Sequence, residues 1–233
     1  MVELDRIEGG VGLASEAGLT DADYVLRRSE WLDAAFIGGI HADGETREAA
    51  LEMVDRGRDE FMYDDAFDFV RREFERLEDS EVVPGVNVRS SSPEPLTEMG
   101  RIVDRHDGLL EINAHCRQPE MVEAGCGHSL LRDTDELRRR ISAAAESGAT
   151  VGAKIRAEVD GVEIPEVTSA VECSGDFLHI DCMDSPGVID SVAHDTDLLV
   201  IANNGVRSRE DVDDYLERGA DMVSTARGAR SVD

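Results

Sequence analysis

The amino-acid sequence predicts an α/β fold, a (β/α)8 TIM barrel formed as a single domain, and three observations predict it. Eight short apolar runs of strand length recur along the chain. Segments with helical spacing separate most of them, as in parallel sheets whose strands are joined by crossover helices. The length, 233 residues, is close to the ~250 typical of such barrels. An open doubly wound sheet is the alternative. It needs a G-x-G-x-x-G turn after the first strand, whereas Gly9-Gly10-x-Gly12 stands at the start of that strand.

The first run, Gly10–Ser15, leads to a turn in which Thr20 or Asp21 can cap a helix. The second, Ala35–Ile40, is followed by an extended connection at about 41–80. Helical patterns lie within it near Glu45–Arg58 and Ala66–Leu77. After the third run, Val82–Val88, Ser90-Ser91-Ser92-Pro93 reads as the start of a helix. The fourth, Leu109–Ala114, breaks into a polar turn and a glycine-rich segment before a helix begins near Asp133. There Leu137, Ile141 and Ala145 share a face, and Gly148 is a stop. The fifth, sixth and seventh runs are Thr150–Ile155, Phe177–Cys182 and Leu198–Ala202. Ser208-x-x-Asp211 resembles a capping box, with Gly219 ending its helix. Only Arg227–Asp233 follow the eighth run, Met222–Thr225, so the eighth helix is expected to be short or missing. An apolar wall left bare there makes a homodimer a reasonable expectation.

Composition bounds the function. There are 52 acids against 24 bases, a net charge of −28, and Lys154 is the only lysine. Acids spread along the whole chain suit a salt-loaded cytoplasm of the haloarchaeal type, where charge beyond about 3 Å is screened at 1 M salt. Phosphate-driven nucleic-acid binding fades in such salt. No run approaches the roughly 18 apolar residues of a membrane span, and the N-terminus has no basic-then-apolar leader, so the expected location is cytoplasmic. Four cysteines without C-x-x-C spacing suggest neither a disulfide framework nor a zinc site, and no metal ligand is assigned.

Barrels place their chemistry at the C-terminal ends of the strands. The polar residues there are Asn87, Asn113, His115 and Cys116, then Lys154 and Arg156, then His179. Asn203 and Gly205 end the seventh run, and Arg227-Gly228 the eighth, at the two loops that commonly hold phosphate. Each has a structural alternative: a buried cysteine, a satisfied core histidine, or an Asn-Gly turn.

Asn113-x-x-Cys116, Gly125-x-Gly127 and Leu130-Leu131 together resemble the signature of the tRNA-dihydrouridine synthases. These are FMN-dependent (β/α)8 barrels distantly similar to dihydroorotate dehydrogenase. Lys154-x-Arg156, His179, Asn203-Asn204-Gly205 and Arg227-Gly228 match the family further along. A small archaeal group of related barrels without the appended helical domain shares Gly38-Gly39 and the Arg56-Gly-Arg-x-Glu-Phe61 segment.

The resemblance implies a flavoprotein oxidoreductase of tRNA processing that reduces a uracil-type double bond, with NAD(P)H as electron donor. Cys116 would donate the proton. FMN would lie on Ala14, Asn87, Lys154 and His179, its phosphate on Asn203, Gly205, Arg227 and Gly228. Asn113 and Arg156 would bind tRNA or a small pyrimidine-like substrate. Glu16, Arg117 and Asp181 depart from the family pattern. They favour the alternative of a non-redox barrel that binds a phosphate ligand, while the lack of the family's basic surface favours a small cyclic substrate over tRNA.

Overall fold

The computed structural model describes residues 4–226. Its strands are β1 (Val11–Leu13), β2 (Ala34–His41), β3 (Val83–Arg89), β4 (Leu109–Asn113), β5 (Thr150–Arg156), β6 (Phe177–Asp181), β7 (Leu199–Asn203) and β8 (Met222–Thr225). All neighbours pair in parallel, and β8 pairs with β1, so the sheet closes in sequence order. The expected TIM barrel is therefore formed. The strands read as apolar runs because both of their faces are covered.

Helices alternate with the strands: α1 (Ala22–Leu26), α2 (Gly44–Asp55), α3 (Ala66–Glu75), α4 (Glu94–Arg105), α5 (Pro119–Glu123), α6 (Thr134–Ala145), α7 (Ile164–Glu172), α8 (Val188–Asp195) and α9 (Arg209–Glu217). The extended connection holds α2 and α3. Asp21 caps α1, its side chain accepting from the Tyr24 amide, and Ser208 with Asp211 forms the capping box of α9. Among the described residues, no helix is long and apolar enough to cross a membrane.

Three expectations change in detail. On α6 it is Ala144 that is buried with Leu137 and Ile141, rather than Ala145. The serines before α4 do not cap it. Ser90 Oγ instead donates to Asp43 Oδ2, which ties β3 to the N-terminus of α2. The short helix α5 and a 3-10 turn, Gly127–Leu131, fill what reads as loop after β4. The segment beyond β8, where the eighth helix is expected to be short or missing, lies outside the described residues.

The core has two parts. Leu110, Ile112, Val151, Ala153, Ile155, Leu178 and Ile180 face the helices. The other side chains fill the lumen, and its lower part is apolar: Phe36, Val83, Leu109, Phe177, Ile201 and Met222, closed below by Ile7. Above this layer the lumen turns polar, and that change positions the candidate site.

Candidate active site

Strand side chains alternate between faces with a period of two. Leu109 in the apolar lumen layer therefore puts Glu111 and Asn113 in the lumen above it, and on β5 and β6 the same alternation lines up Lys154 with Arg156 and His179 with Asp181. Asn113, Lys154 and His179 are register partners across β4, β5 and β6.

A hydrogen-bonded chain crosses the lumen. Asn113 Nδ2 donates to Asn87 Oδ1 at 2.7 Å, and Asn87 Nδ2 donates to Glu111 Oε1 at 2.6 Å. Glu111 Oε2 meets His179 Nδ1 at 2.5 Å, and His179 Nε2 meets Ser224 Oγ at 2.7 Å. Burial pushes the Glu111 carboxyl up, but His179, Lys154 and the Asn87 amide together hold it below its ordinary value. Burial and the Lys154 charge lower His179 despite the attraction of Glu111. An ionised Glu111 thus accepts from the Nδ1–H of a neutral ring, and Nε2 accepts from the Ser224 hydroxyl.

Beside this chain lies a second group. Asp181 Oδ2 is 2.7 Å from His115 Nε2 and 3.0 Å from Arg156 Nη2. An ionised Asp181 can only accept, so it collects the Arg156 guanidinium and an Nε2–H of the ring, and Arg156 Nη2 also lies 3.1 Å from His115 Nε2. Burial opposes ionisation of Asp181, yet His115 and Arg156 bring its pKa down to about 2. Burial lowers His115 to about 4 although Asp181 pulls the other way.

Lys154 stands between these groups, 3% exposed. Its ammonium has no hydrogen-bond or ion-pair partner among the described residues. Burial, with Arg156 adding to it, lowers its pKa against the attraction of Glu111 and Asp181.

The other expected residues are placed as follows. Asn113 Oδ1 accepts from the Cys116 amide at 2.9 Å, which fixes the turn after β4. Cys116 is 8% exposed and packs in an apolar cluster with Ala50, Met53, Met121 and Cys126. Ala14 is buried at the end of β1, its amide donating to the Thr225 carbonyl. Asn203 Nδ2 donates to the Ser224 carbonyl, and Gly205 follows at φ +77 in an exposed turn. Arg227 and Gly228 lie outside the described residues. Asn87, Asn113, Lys154, Arg156 and His179 share the lumen, whereas Cys116 sits in its own cluster.

Glu111, Ser224, Asp181 as an ion-pair partner, and the buried pair of Arg89 with Glu60 (2.7 Å) are not among the expected site residues. The signal for Glu111 is the alternation Leu109-x-Glu111-x-Asn113. A polar residue two before Asn113, inside an apolar run, marks the lumen face.

No family model matches the chain. An uncharacterized protein of Methanocaldococcus jannaschii is 27% identical over 239 residues, covering 97% of this chain and 91% of that protein. Among solved structures, the chain is similar to the tryptophan synthase complex of Pyrococcus furiosus, with TM-score 0.61, 12% identity, and 94% and 88% of the two chains covered. It is likewise similar to a putative phosphonomutase of Burkholderia cenocepacia, with TM-score 0.61, 16% identity, and 95% and 88% covered. At these identities the likeness shows the fold alone.

These findings overturn the resemblance to the dihydrouridine synthases and the function taken from it. Tryptophan synthase α-subunits and a phosphonomutase-like barrel are among the similar structures, and nothing in these points to FMN. The FMN oxidoreductase, its NAD(P)H donor, and the reduction of a tRNA uridine or a small cyclic substrate are set aside together. The geometry gives a physical reason. His179 and Asn87, expected along a flavin ring, are engaged in the buried chain.

Proposed function

We propose that this chain is a non-flavin barrel enzyme that acts on a carbonyl compound through the amine of Lys154. The observation that carries the reading is an unpartnered, buried lysine among two carboxylates and an imidazole. Burial disfavours the charged form of such an amine, so a larger share of it is neutral and nucleophilic than in an exposed lysine.

The neutral amine bonds to the carbonyl carbon. Its two hydrogens leave with the carbonyl oxygen as water. The imine nitrogen then takes a proton and becomes an iminium cation. Glu111 and Asp181 lie close enough to influence the amine electrostatically, so both stabilise the new positive charge. The iminium draws the electron pair of a C–H bond on the adjacent carbon toward its nitrogen; that bond breaks, an enamine remains, and the proton passes to the His115 ring. The His115–Asp181 pair is suited to moving the proton at that carbon, because its ring is neutral and held by an ionised carboxylate. Asn113 and Arg156 are the residues we assign to substrate binding. The acid-rich, lysine-poor composition supports a cytoplasmic enzyme working in concentrated salt.

The chain is suited to the decisive experiment because Lys154 is its only lysine. Borohydride reduction in molar salt with small aldehydes and ketones, read by peptide mass, is expected to leave one secondary-amine adduct at Lys154. Lys154→Arg is expected to leave none. Adducts confined to the N-terminal amine in both proteins would overturn the proposal.

A further inference from the structure

We infer that the carbonyl substrate carries an anionic oxygen group, a carboxylate or a phosphate, held between Arg89 and Arg156 at the mouth of the barrel. The inference rests on the Lys154 reading for the reacting end and adds the other end.

Register brings the three cations together. The β3–β4 pairing reaches Val88 with Ile112, and Asn113 pairs with Lys154. Arg89, the next residue on β3, therefore continues the level of Asn113 and Lys154. Arg156 is one lumen-facing step above Lys154. Strands lie about 4.8 Å apart, so Arg89 and Lys154 start roughly 10 Å from each other across β4, a span that two long side chains close inside a lumen. Both arginines also interact electrostatically with Cys116, on the turn directly above β4.

Both guanidinium groups are held in place with donors to spare. Arg89 is 5% exposed and Arg156 8%. Glu60 takes Nη1 of Arg89, and a Cβ on Gly39 would come within 2.8 Å of Arg89 Nε, so the group lies against bare backbone. Asp181 takes Nη2 of Arg156. Nη2 of Arg89 and Nη1 of Arg156 have no hydrogen-bond partner among the described residues, and both Nε atoms are buried without one. Buried donors without acceptors are costly. A planar fork fixed by one carboxylate and open on its other edge is suited to a second, incoming anion. The chain carries a net charge of −28, so most of its surface repels such a group. The lumen is where cations with unused donors converge.

The test compares three two-carbon aldehydes in the borohydride reaction: glycolaldehyde, which is neutral, glyoxylate and glycolaldehyde phosphate. At least one anionic aldehyde is expected to half-saturate Lys154 at a concentration about tenfold below that of glycolaldehyde, the worth of one charge-assisted bond. Arg89→Gln and Arg156→Lys are each expected to cut that preference to roughly threefold or less. Glyoxylate or the phosphate standing out identifies which anion fits. Equal half-saturation by all three would overturn the inference and leave the Lys154 reading intact. If no aldehyde is trapped, the Lys154 reading fails, and calorimetric titration with inorganic phosphate and with acetate decides the anion site without amine chemistry. Binding weakened about tenfold by either variant supports the site, and absence of binding by both anions overturns it.

Discussion

Glu111 Oε2 stands 2.5 Å from His179 Nδ1, with neither side chain reaching solvent. The same carboxylate accepts from Asn87 through its other oxygen, so both oxygens are engaged and the charge is retained in the lumen. Glu111→Gln keeps the shape but turns one oxygen into a donor that faces either the His179 Nδ1–H or the Asn87 amide. We expect a loss of about 2–4 kcal/mol of stability, measured by urea unfolding in molar salt. A double-mutant cycle with His179→Gln is expected to show coupling, since the two side chains share the 2.5 Å contact that Glu111→Gln alters. A Glu111→Gln cost below about 0.5 kcal/mol, the range of ordinary surface changes, would show that the chain across the lumen is not built around this charge.

The barrel is legible in the sequence because every strand is an apolar run covered on both faces. The polar lumen is less legible. Glu111 between Leu110 and Ile112 looks like an interruption until its period-two relation to Leu109 and Asn113 is considered. Arg89 and Glu60 are 29 residues apart, and no local spacing announces their pair. The turn Asn113-x-x-Cys116 is legible as a turn, but the flavin chemistry that its resemblance implies does not follow from it. Asn113 Oδ1 caps the amides of His115 and Cys116, a local device that any chain can use. A shared motif of this kind carries backbone geometry and need not carry an activity.

Gly127 offers a sharp test of that turn. It sits at φ +63, and a Cβ there would be 2.3 Å from the Cys116 carbonyl oxygen, which accepts from the His128 amide. Gly127→Ala must therefore bear both the backbone strain and the loss of this contact. Gly161 has a similar φ, +73, with nothing within 4 Å of its would-be Cβ. Gly161→Ala is expected to cost about 1–2 kcal/mol from conformation alone, and Gly127→Ala at least about 1 kcal/mol more. Equal thermal midpoints for the two variants would contradict the packing argument.

His41 links stability to pH. Neither ring nitrogen has a hydrogen-bond partner, and the ring stacks on Tyr63 at 4.5 Å between centroids. Burial first, then Arg89 and Arg47, lower its pKa from 6.5 to about 4, against the pull of Asp43. The unfolded chain thus binds a proton between these values that the native chain refuses. Stability falls as pH drops from 6.5 toward 4, by up to about 1.4 kcal/mol per pH unit for this one group. His41→Phe keeps the stacking and removes the proton. Its advantage over the native chain is expected to grow across that window, and a constant difference would count against the assignment.

The pair of Arg89 with Glu60 is buried on both sides, with side-chain exposures of 6% and 0%. Salt cannot enter such a contact, so Glu60→Gln is expected to cost about 3–5 kcal/mol with little change between low and molar salt. Arg209 with Asp213 is an exposed pair of similar length, 2.9 Å. Asp213→Asn there is expected to change stability by about 0.5 kcal/mol or less, and by nothing measurable at molar salt. Urea unfolding of both variants across a salt series tests the contrast, and a salt-dependent Glu60→Gln cost would place the pair in water.

Lys154 is expected to be a residue that function keeps at the expense of stability. Its burial disfavours the charged form, and it makes no hydrogen bond among the described residues. A methionine fills nearly the same volume without an amine to desolvate. A base whose folded pKa lies below its ordinary 10.5 penalises the native state wherever the unfolded chain is protonated, in full below the folded pKa and progressively less between the two values. The penalty therefore acts at neutral pH and vanishes as pH rises through 10.5. Lys154→Met is expected to be more stable than the native chain by about 1 kcal/mol at neutral pH, with the gain fading toward alkaline pH, while all borohydride trapping is lost. A variant that is instead less stable at neutral pH would mean that the ammonium mainly balances Glu111, and that the native amine is charged.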